Sequence, residues 1–182
     1  MIRRFVLVTG NRGKIAEARL ALGADLEAAE IDLPEIQSLS YLEVLRAKAD
    51  EAWRRLGRPL VVEEAGLDLA VLNGFPGPLV KWMLEAVGAE GIAQTAHALG
   101  DTRAAARCFL LYKDGDQEIL AEGRTDGHLT LFGRGSHGFG WDPVFVPEGL
   151  SLTFAELKGA DKGAVSHRGK AWREMARALA RE

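Results

Sequence analysis

Cysteine is nearly missing from this sequence. Cys108 is the only one among 182 residues. That excludes an intrachain disulfide and any metal cluster built from several thiolates. Cys108 lies in the apolar run AARCFLLY and reads as buried packing. Long apolar runs are missing too. The opening MIRRFVLVTGN carries two arginines, but its apolar run is too short for a signal peptide or a membrane span. Excess charge of either sign is also missing: 23 Lys and Arg face 26 Asp and Glu, for a net charge of −3. No long single-sign tail appears, so tight nucleic-acid binding has no electrostatic basis. Internal repeats, low-complexity segments and linkers are lacking. What remains is a chain that is 47% apolar, enough for a sizeable core. The expectation is one soluble, cytoplasmic α/β domain over residues 1–182, with no membrane and no nucleic-acid partner.

Several chemistries are excluded by motifs that do not occur. The GxxxxGK[ST] spacing of a Walker A loop is absent. His167 has no second His or Cys at zinc-ligand spacing. Ser166 and His167 are neighbours, and neighbours on a helix cannot face one another as a nucleophile and its base.

Element signals are present in number. FVLVT reads as a short strand ended by Gly10, and Ile15, Ala18 and Leu22 then follow at helical spacing. EAAEIDL reads as a second strand stopped by Pro34. Leu42, Leu45, Ala49, Ala52, Trp53 and Leu56 line one face of a helix over Ser40–Leu56. PLVVEE reads as a buried strand, and AGLDLAVLNGFPGP, with its glycines and prolines, as a loop. Helices are predicted from Leu79 and over Gly91–Leu99. KDGDQ marks a hairpin between later strands. FVP reads as a short strand, TFAELKGADKG as the site of a short helix, and Ser166 as the N-cap of the last one. Alternating elements followed by a hairpin group predict an elongated mixed sheet with flanking helices.

Polar residues with chemical potential collect at four places. TGNRGK turns a strand into a helix whose first amides lack partners, a geometry that attracts phosphate; Thr9, Asn11, Arg12 and Lys14 add donors and charge. Glu35 after Pro34, and Glu63-Glu64 at a strand end, offer carboxylates that suit Mg²⁺. Two carboxylates brought together also raise each other's pKa, which favours a base. GFGWDPVF can set an aromatic face against a nucleobase, with Asp142 fixing the loop. KGAVSHRGK gathers Lys162, His167, Arg168 and Lys170 at a helix start, which favours an anion or a polar base edge. Each has a plain alternative: an ordinary strand–turn–helix, solvated surface acids, a tryptophan plugging the core edge beside a turn-capping aspartate. Together they describe a pocket for a nucleoside triphosphate with Mg²⁺.

These segments resemble the inosine triphosphate pyrophosphatase family over nearly the whole chain. VTGNRGKIAEARLAL resembles its TGN-x-x-K opening, and IDLPEIQ its LPE-x-Q segment. LVVEEAGLDLAVLNGFPGPLVKWML resembles its VEDSGL…GGxPG…K-W/Y stretch. GFGWDPVFVPEG, TFAEL and DKGAVSHRGKA resemble its FG[YW]DP…T-x-AE…SHR-x-KA tail. The resemblance implies an α/β fold with two lobes around a central cleft, and a homodimer. It implies hydrolysis of ITP, dITP and XTP to the monophosphate and pyrophosphate. By carry-over, Thr9, Asn11, Lys14 and Lys162 hold phosphates, and Lys14 serves catalysis. Glu35 and Glu64 bind metal, with Glu64 also catalytic. Phe139, Gly140, Trp141, Asp142, His167 and Arg168 contact the base. Three positions depart from the pattern. Glu64 stands where the family has aspartate, Ala65 follows in place of serine, and Asn73 replaces a glycine. The Glu64 and Ala65 changes leave open a nucleotide-binding module with weakened catalysis. A triphosphatase of relaxed specificity is the other alternative, and Glu63 could share the role of Glu64.

Overall fold

The computed structural model describes residues 4–181. Its core is a seven-stranded mixed sheet carrying five α-helices. β1 (Val6–Val8) leads into α1 (Arg12–Leu22), and β2 (Glu27–Ala29) returns parallel to β1. α2 (Tyr41–Leu56) precedes β3 (Leu60–Leu69), which runs parallel to β1. A short 3₁₀ turn (Ala70–Leu72) and β4 (Pro76–Gly77) follow, then α3 (Val80–Ala98). The hairpin of β5 (Arg103–Asp114) and β6 (Gln117–Leu129) comes next, then β7 (Phe145–Pro147). α4 (Gly159–Val165) and α5 (His167–Arg181) close the chain. The sheet order is β2-β1-β3-β5-β6-β7, with β4 paired to β3.

Three apolar clusters pack on this sheet. At one end, Leu7, Val61, Leu110 and Tyr112 meet Ala18 of α1 and Trp172, Met175 and Leu179 of α5. Burying a side chain of that size contributes about 1.5–3 kcal/mol. On the opposite face, Val8, Leu60, Val62 and Leu111 meet Tyr41, Leu45, Ala49 and Ala52 of α2. At the other end, Leu67, Leu69, Ala104, Ala106 and Leu129 meet Ile92 and Ala96 of α3, with Trp141, Phe145 and Phe154. The long strands β3, β5 and β6 thus contribute to cores at both ends, giving two lobes on one sheet.

Helix ends follow their sequence signals. Asn11 and Ser40 accept from the amides of Lys14 and Glu43, and Gly23 and Gly57 close their helices in the left-handed region. Ser166 Oγ accepts from the Gly169 amide at 3.0 Å, as expected of an N-cap. The two helices predicted after Leu79 form one element kinked at Gly88 (φ 72, ψ 176). Asn73 sits at φ 54, a left-handed position that Asn tolerates as glycine does, so its departure from the family pattern is structurally neutral. α5 lies against β6 at Gly123, where a Cβ would overlap the His167 carbonyl oxygen and the Ala171 amide nitrogen. That close approach fixes the start of α5, and with it His167 and Arg168.

Two strand expectations change. The second strand is only Glu27–Ala29, and Glu30–Leu33 carries no regular pairing. β3, conversely, does not stop at Glu64. It continues to Leu69, because every residue from Leu60 to Leu69 pairs with β5. Ten consecutive paired positions with β5 outweigh the glycine that suggested a loop.

Candidate active site

Strand alternation decides where the acidic pair points. Glu63 and Glu64 are mid-strand neighbours, so their side chains leave opposite faces of the sheet. Glu63 faces α1 and α5: its Oε1 meets Lys14 Nζ at 3.3 Å and Arg168 Nε at 3.0 Å. Glu64 faces α2: its Oε2 meets Lys48 Nζ at 2.7 Å. The two carboxylates therefore do not face one another, and Glu63 does not share the position of Glu64. Burial alone would push the Glu63 carboxyl up, but the Arg168 and Lys14 charges outweigh it and hold it below the usual range.

Lys48 is the residue that organises the metal-type acids. Its ammonium also meets Glu35 Oε1 at 3.1 Å, so one cation bridges Glu35 and Glu64. Burial would lower the Lys48 pKa, but Glu64 and Glu35 reverse that and raise it. Glu35 is held low despite partial burial, by Lys48 first and then by Lys81 and Lys14. Sequence reasoning missed Lys48, although it stands on the apolar face of α2, three residues after Leu45 and four before Ala52. A lysine there is a detectable anomaly.

A second network joins the tail to α1. Glu17 receives Lys162 at 2.6 Å through one oxygen and Arg168 at 2.6 Å through the other. Lys162 also meets Asp142 Oδ2 at 2.7 Å, and that same oxygen accepts from the Phe139 amide at 2.8 Å. Asp142 thus fixes the loop, as its sequence suggested. Gly138 (φ 77) and Gly140 (φ 65) supply the positive φ angles of this tight turn. Burial raises the Asp142 pKa, and Lys162 only partly opposes it. Burial would also raise Glu17, yet Arg168 and Lys162 bring it below its ordinary value. Glu17 was not singled out from sequence, because only the fold brings it beside residues 142–168.

The cleft has two joined compartments. One, of about 320 Å³, is lined by Phe139, Gly140, Trp141 and Arg168 on one side and by Glu35, Lys48, Glu64, Lys81 and Trp82 on the other. The second, of about 550 Å³, is lined by Thr9 and Gly10 at the entry to α1, and by Asp32 and Glu63. Lys14, Glu35, Lys48, Lys81 and Trp82 line both. Thr9, Asn11, Lys14, Glu35, Glu64, Phe139, Gly140, Trp141 and Arg168 thus meet at one continuous cleft. Lys162 and Asp142 lie beside it, buried, with Lys162 over the Phe139 ring at 5.2 Å. Lys170 departs from the expected cluster: it reaches the Arg124 carbonyl instead, at 2.8 Å.

Trp141 is both core and wall. Only 9% exposed, it packs with the lobe around α3, yet it lines the cleft. His167 is 2% exposed, its ring lying near Trp141 and Phe154. The Trp141 indole nitrogen and both His167 ring nitrogens have no hydrogen-bond partner. Burial first, then the Arg168 and Lys162 charges, hold the His167 pKa well below 6.5. Native His167 therefore stays neutral where the unfolded chain takes up a proton. Its contribution to stability is present above the unfolded pKa, and is lost as pH falls from about 6.5 toward the folded value. The melting temperature is expected to drop over that window. His167→Phe should flatten that part of the profile, measured by thermal denaturation from pH 8 to 5; an unchanged slope would remove His167 from this role.

Comparison with known proteins places the chain in a family. The sequence profile of the Ham1 family matches residues 5–178. An inosine triphosphate pyrophosphatase from Batrachochytrium dendrobatidis is 41% identical over 170 residues, covering 91% of this chain and 88% of that protein. A dITP/XTP pyrophosphatase from Thermococcus kodakarensis is 36% identical over 176 residues, or 95% of each. The solved structure of a HAM1 protein from Coxiella burnetii superposes with a TM-score of 0.83, at 27% identity, over 98% of this chain and 99% of that one. With its profile matched almost from end to end and its fold shared over the same length, this chain belongs to the Ham1 family.

Proposed function

We propose that this protein hydrolyses deaminated purine nucleoside triphosphates (ITP, dITP and XTP) to the monophosphate and pyrophosphate, removing them from the nucleotide pool. The observation that carries this reading is the two-compartment cleft. An aromatic compartment, with Phe139 and Trp141, opens into a recess at the start of α1 across a wall of Lys14, Glu35 and Lys48. A base fits the first, a phosphate chain the second, and the reacting bond the wall between. The names of the relatives support it.

The wall fits Mg²⁺. Oxygens of Glu35 and Glu64 converge on a single cationic point. Among the described residues no group of three or more His, Cys, Asp or Glu could hold a metal ion. The pair Glu35 and Glu64 suits an ion which takes one or two carboxylates and completes its shell with water and phosphate oxygens. Held by Glu35 and Glu64, the ion would supply Lewis-acid neutralisation of the phosphate charge. The chain's residues do the rest. Thr9, Asn11 and Lys14 hold the phosphates at the helix start. Glu64 orients the attacking water and takes its proton. Phe139 and Trp141 bracket the base, and Lys162 acts on it through Asp142 by locking the 138–142 loop. Selecting a 6-keto purine over a 6-amino one takes a donor aimed at O6, which a 6-amino group leaves unsatisfied at about 1–3 kcal/mol. We also propose one domain, a homodimer and a cytoplasmic setting; no helix among the described residues is long and apolar enough to cross a membrane.

Glu35 is the clearest test, because 48% of its side chain is exposed and Lys48 keeps Glu64 as a partner when Glu35 is changed. Glu35→Gln is expected to abolish Mg²⁺-dependent turnover while leaving the melting temperature close to wild type. Wild-type turnover in that variant at saturating Mg²⁺ removes Glu35 from the site.

A further inference from the structure

Lys48 presents a conflict that the assigned roles of Glu35 and Glu64 do not resolve. Its ammonium is hydrogen-bonded to both carboxylates, 3.1 Å from Glu35 and 2.7 Å from Glu64. Lys48 itself is 8% exposed, on the buried face of α2 with Tyr41, Val44 and Leu45. Glu35 lies on an irregular segment between β2 and α2, so Lys48 is its main anchor; Lys81 adds only a longer contact of 3.7 Å. A divalent cation taking these oxygens and an ammonium hydrogen-bonded to them compete for one place. In a partly desolvated cleft their like charges repel strongly.

Resting on the nucleotide reading above, we infer that Lys48 is the built-in counter-ion of the metal site, and that the metal enters as its nucleotide complex rather than alone. Lys48 lines both compartments, so its ammonium can pass from the carboxylates to the oxygens of an arriving phosphate chain. The exchange leaves no charge unpaired: the divalent cation takes the carboxylates as the ammonium takes the phosphates. Arrival of the divalent cation without nucleotide would leave Lys48 buried beside it with no partner. Nucleotide and metal therefore bind cooperatively, each raising the affinity for the other by the same factor. This also gives Glu64 a reason to be one methylene longer than aspartate, because its added reach closes the contact to Lys48.

The test is direct Mn²⁺ binding, by electron paramagnetic resonance and calorimetry, to full-length protein with and without the hydrolysis-resistant α,β-methylene analogue of ITP. Wild type is expected to bind Mn²⁺ weakly alone and about tenfold or more tightly with the analogue bound, beyond the affinity of the analogue itself. Lys48→Met is expected to bind Mn²⁺ alone about tenfold more tightly than wild type, with the cooperativity reduced. Its melting temperature should accordingly rise more with Mn²⁺ than that of wild type. Equal Mn²⁺ affinity in wild type with and without the analogue overturns the inference, and needs no variant to fold. A Mn²⁺ site in Lys48→Met no tighter than in wild type overturns it too, while leaving the metal reading standing. Absence of a protein Mn²⁺ site under every condition overturns both.

Discussion

Replacing Arg168 with methionine is expected to cost about 3–5 kcal/mol of folding stability, close to the whole margin of many domains. The guanidinium is 2% exposed and holds two carboxylates from distant parts of the chain. It reaches Glu17 of α1 at 2.6 Å and Glu63 of β3 at 3.0 Å. Methionine fills much of the volume but leaves Glu63 with Lys14 alone and Glu17 with Lys162 alone. The second Glu63 oxygen is already buried without a partner, so little slack remains there. Arg168→Lys should recover only part of the loss, since an ammonium cannot reproduce the fork. Urea denaturation measures this. A loss below about 1 kcal/mol would mean that Lys14 and Lys162 suffice to pair the two acids, and that Arg168 is a surface-type ion pair in energetic terms.

The second large effect is on rate. Glu64→Gln is expected to lower kcat by about 10²–10⁴-fold, the range for losing a positioned general base. Glu64→Asp is the more informative change, because it restores the residue type of the family pattern. Glu64 places its carboxylate 2.7 Å from Lys48 here. Shortening it withdraws the carboxylate by about 1 Å, a displacement able to cost about 10²-fold. The aspartate variant is therefore expected to be no faster than wild type, and slower if Lys48 depends on the contact. Steady-state kinetics on ITP decide this. A large gain in kcat for Glu64→Asp would show a decayed site rather than an adapted one.

Much of this site is legible in short segments, because local physics dictates them. A strand ended at Gly10 and followed by helical spacing from Ile15 makes a helix N-terminus, which Asn11 then caps. Gly138, Gly140 and Asp142 likewise make a tight turn, and Ser166 a helix start. The β5–β6 hairpin follows from KDGDQ alone. Other features depend on pairing that no segment contains. The length of β3 is set by its pairing with β5, whereas the opposite facing of Glu63 and Glu64 follows from simple alternation along the strand. Glu17 becomes part of the site because α1 and the 142–168 region meet in space. Lys48 lay within reach of sequence reasoning: its place on an apolar helix face was visible, and its partners were not. The Lys170 expectation fails for a geometric reason, since on α5 it points away from Arg168, toward β6.

Cleavage between the α and β phosphates, with selection of a 6-keto purine, is the reaction expected of this cleft. It is tested most directly by incubating purified protein and Mg²⁺ with ITP, XTP, dITP, ATP, GTP and dUTP separately, and measuring pyrophosphate and phosphate independently. The predicted result is pyrophosphate from ITP, dITP and XTP, little from ATP or dUTP, and no stoichiometric phosphate. Release of phosphate in place of pyrophosphate, or equal turnover of ATP and ITP, would contradict it.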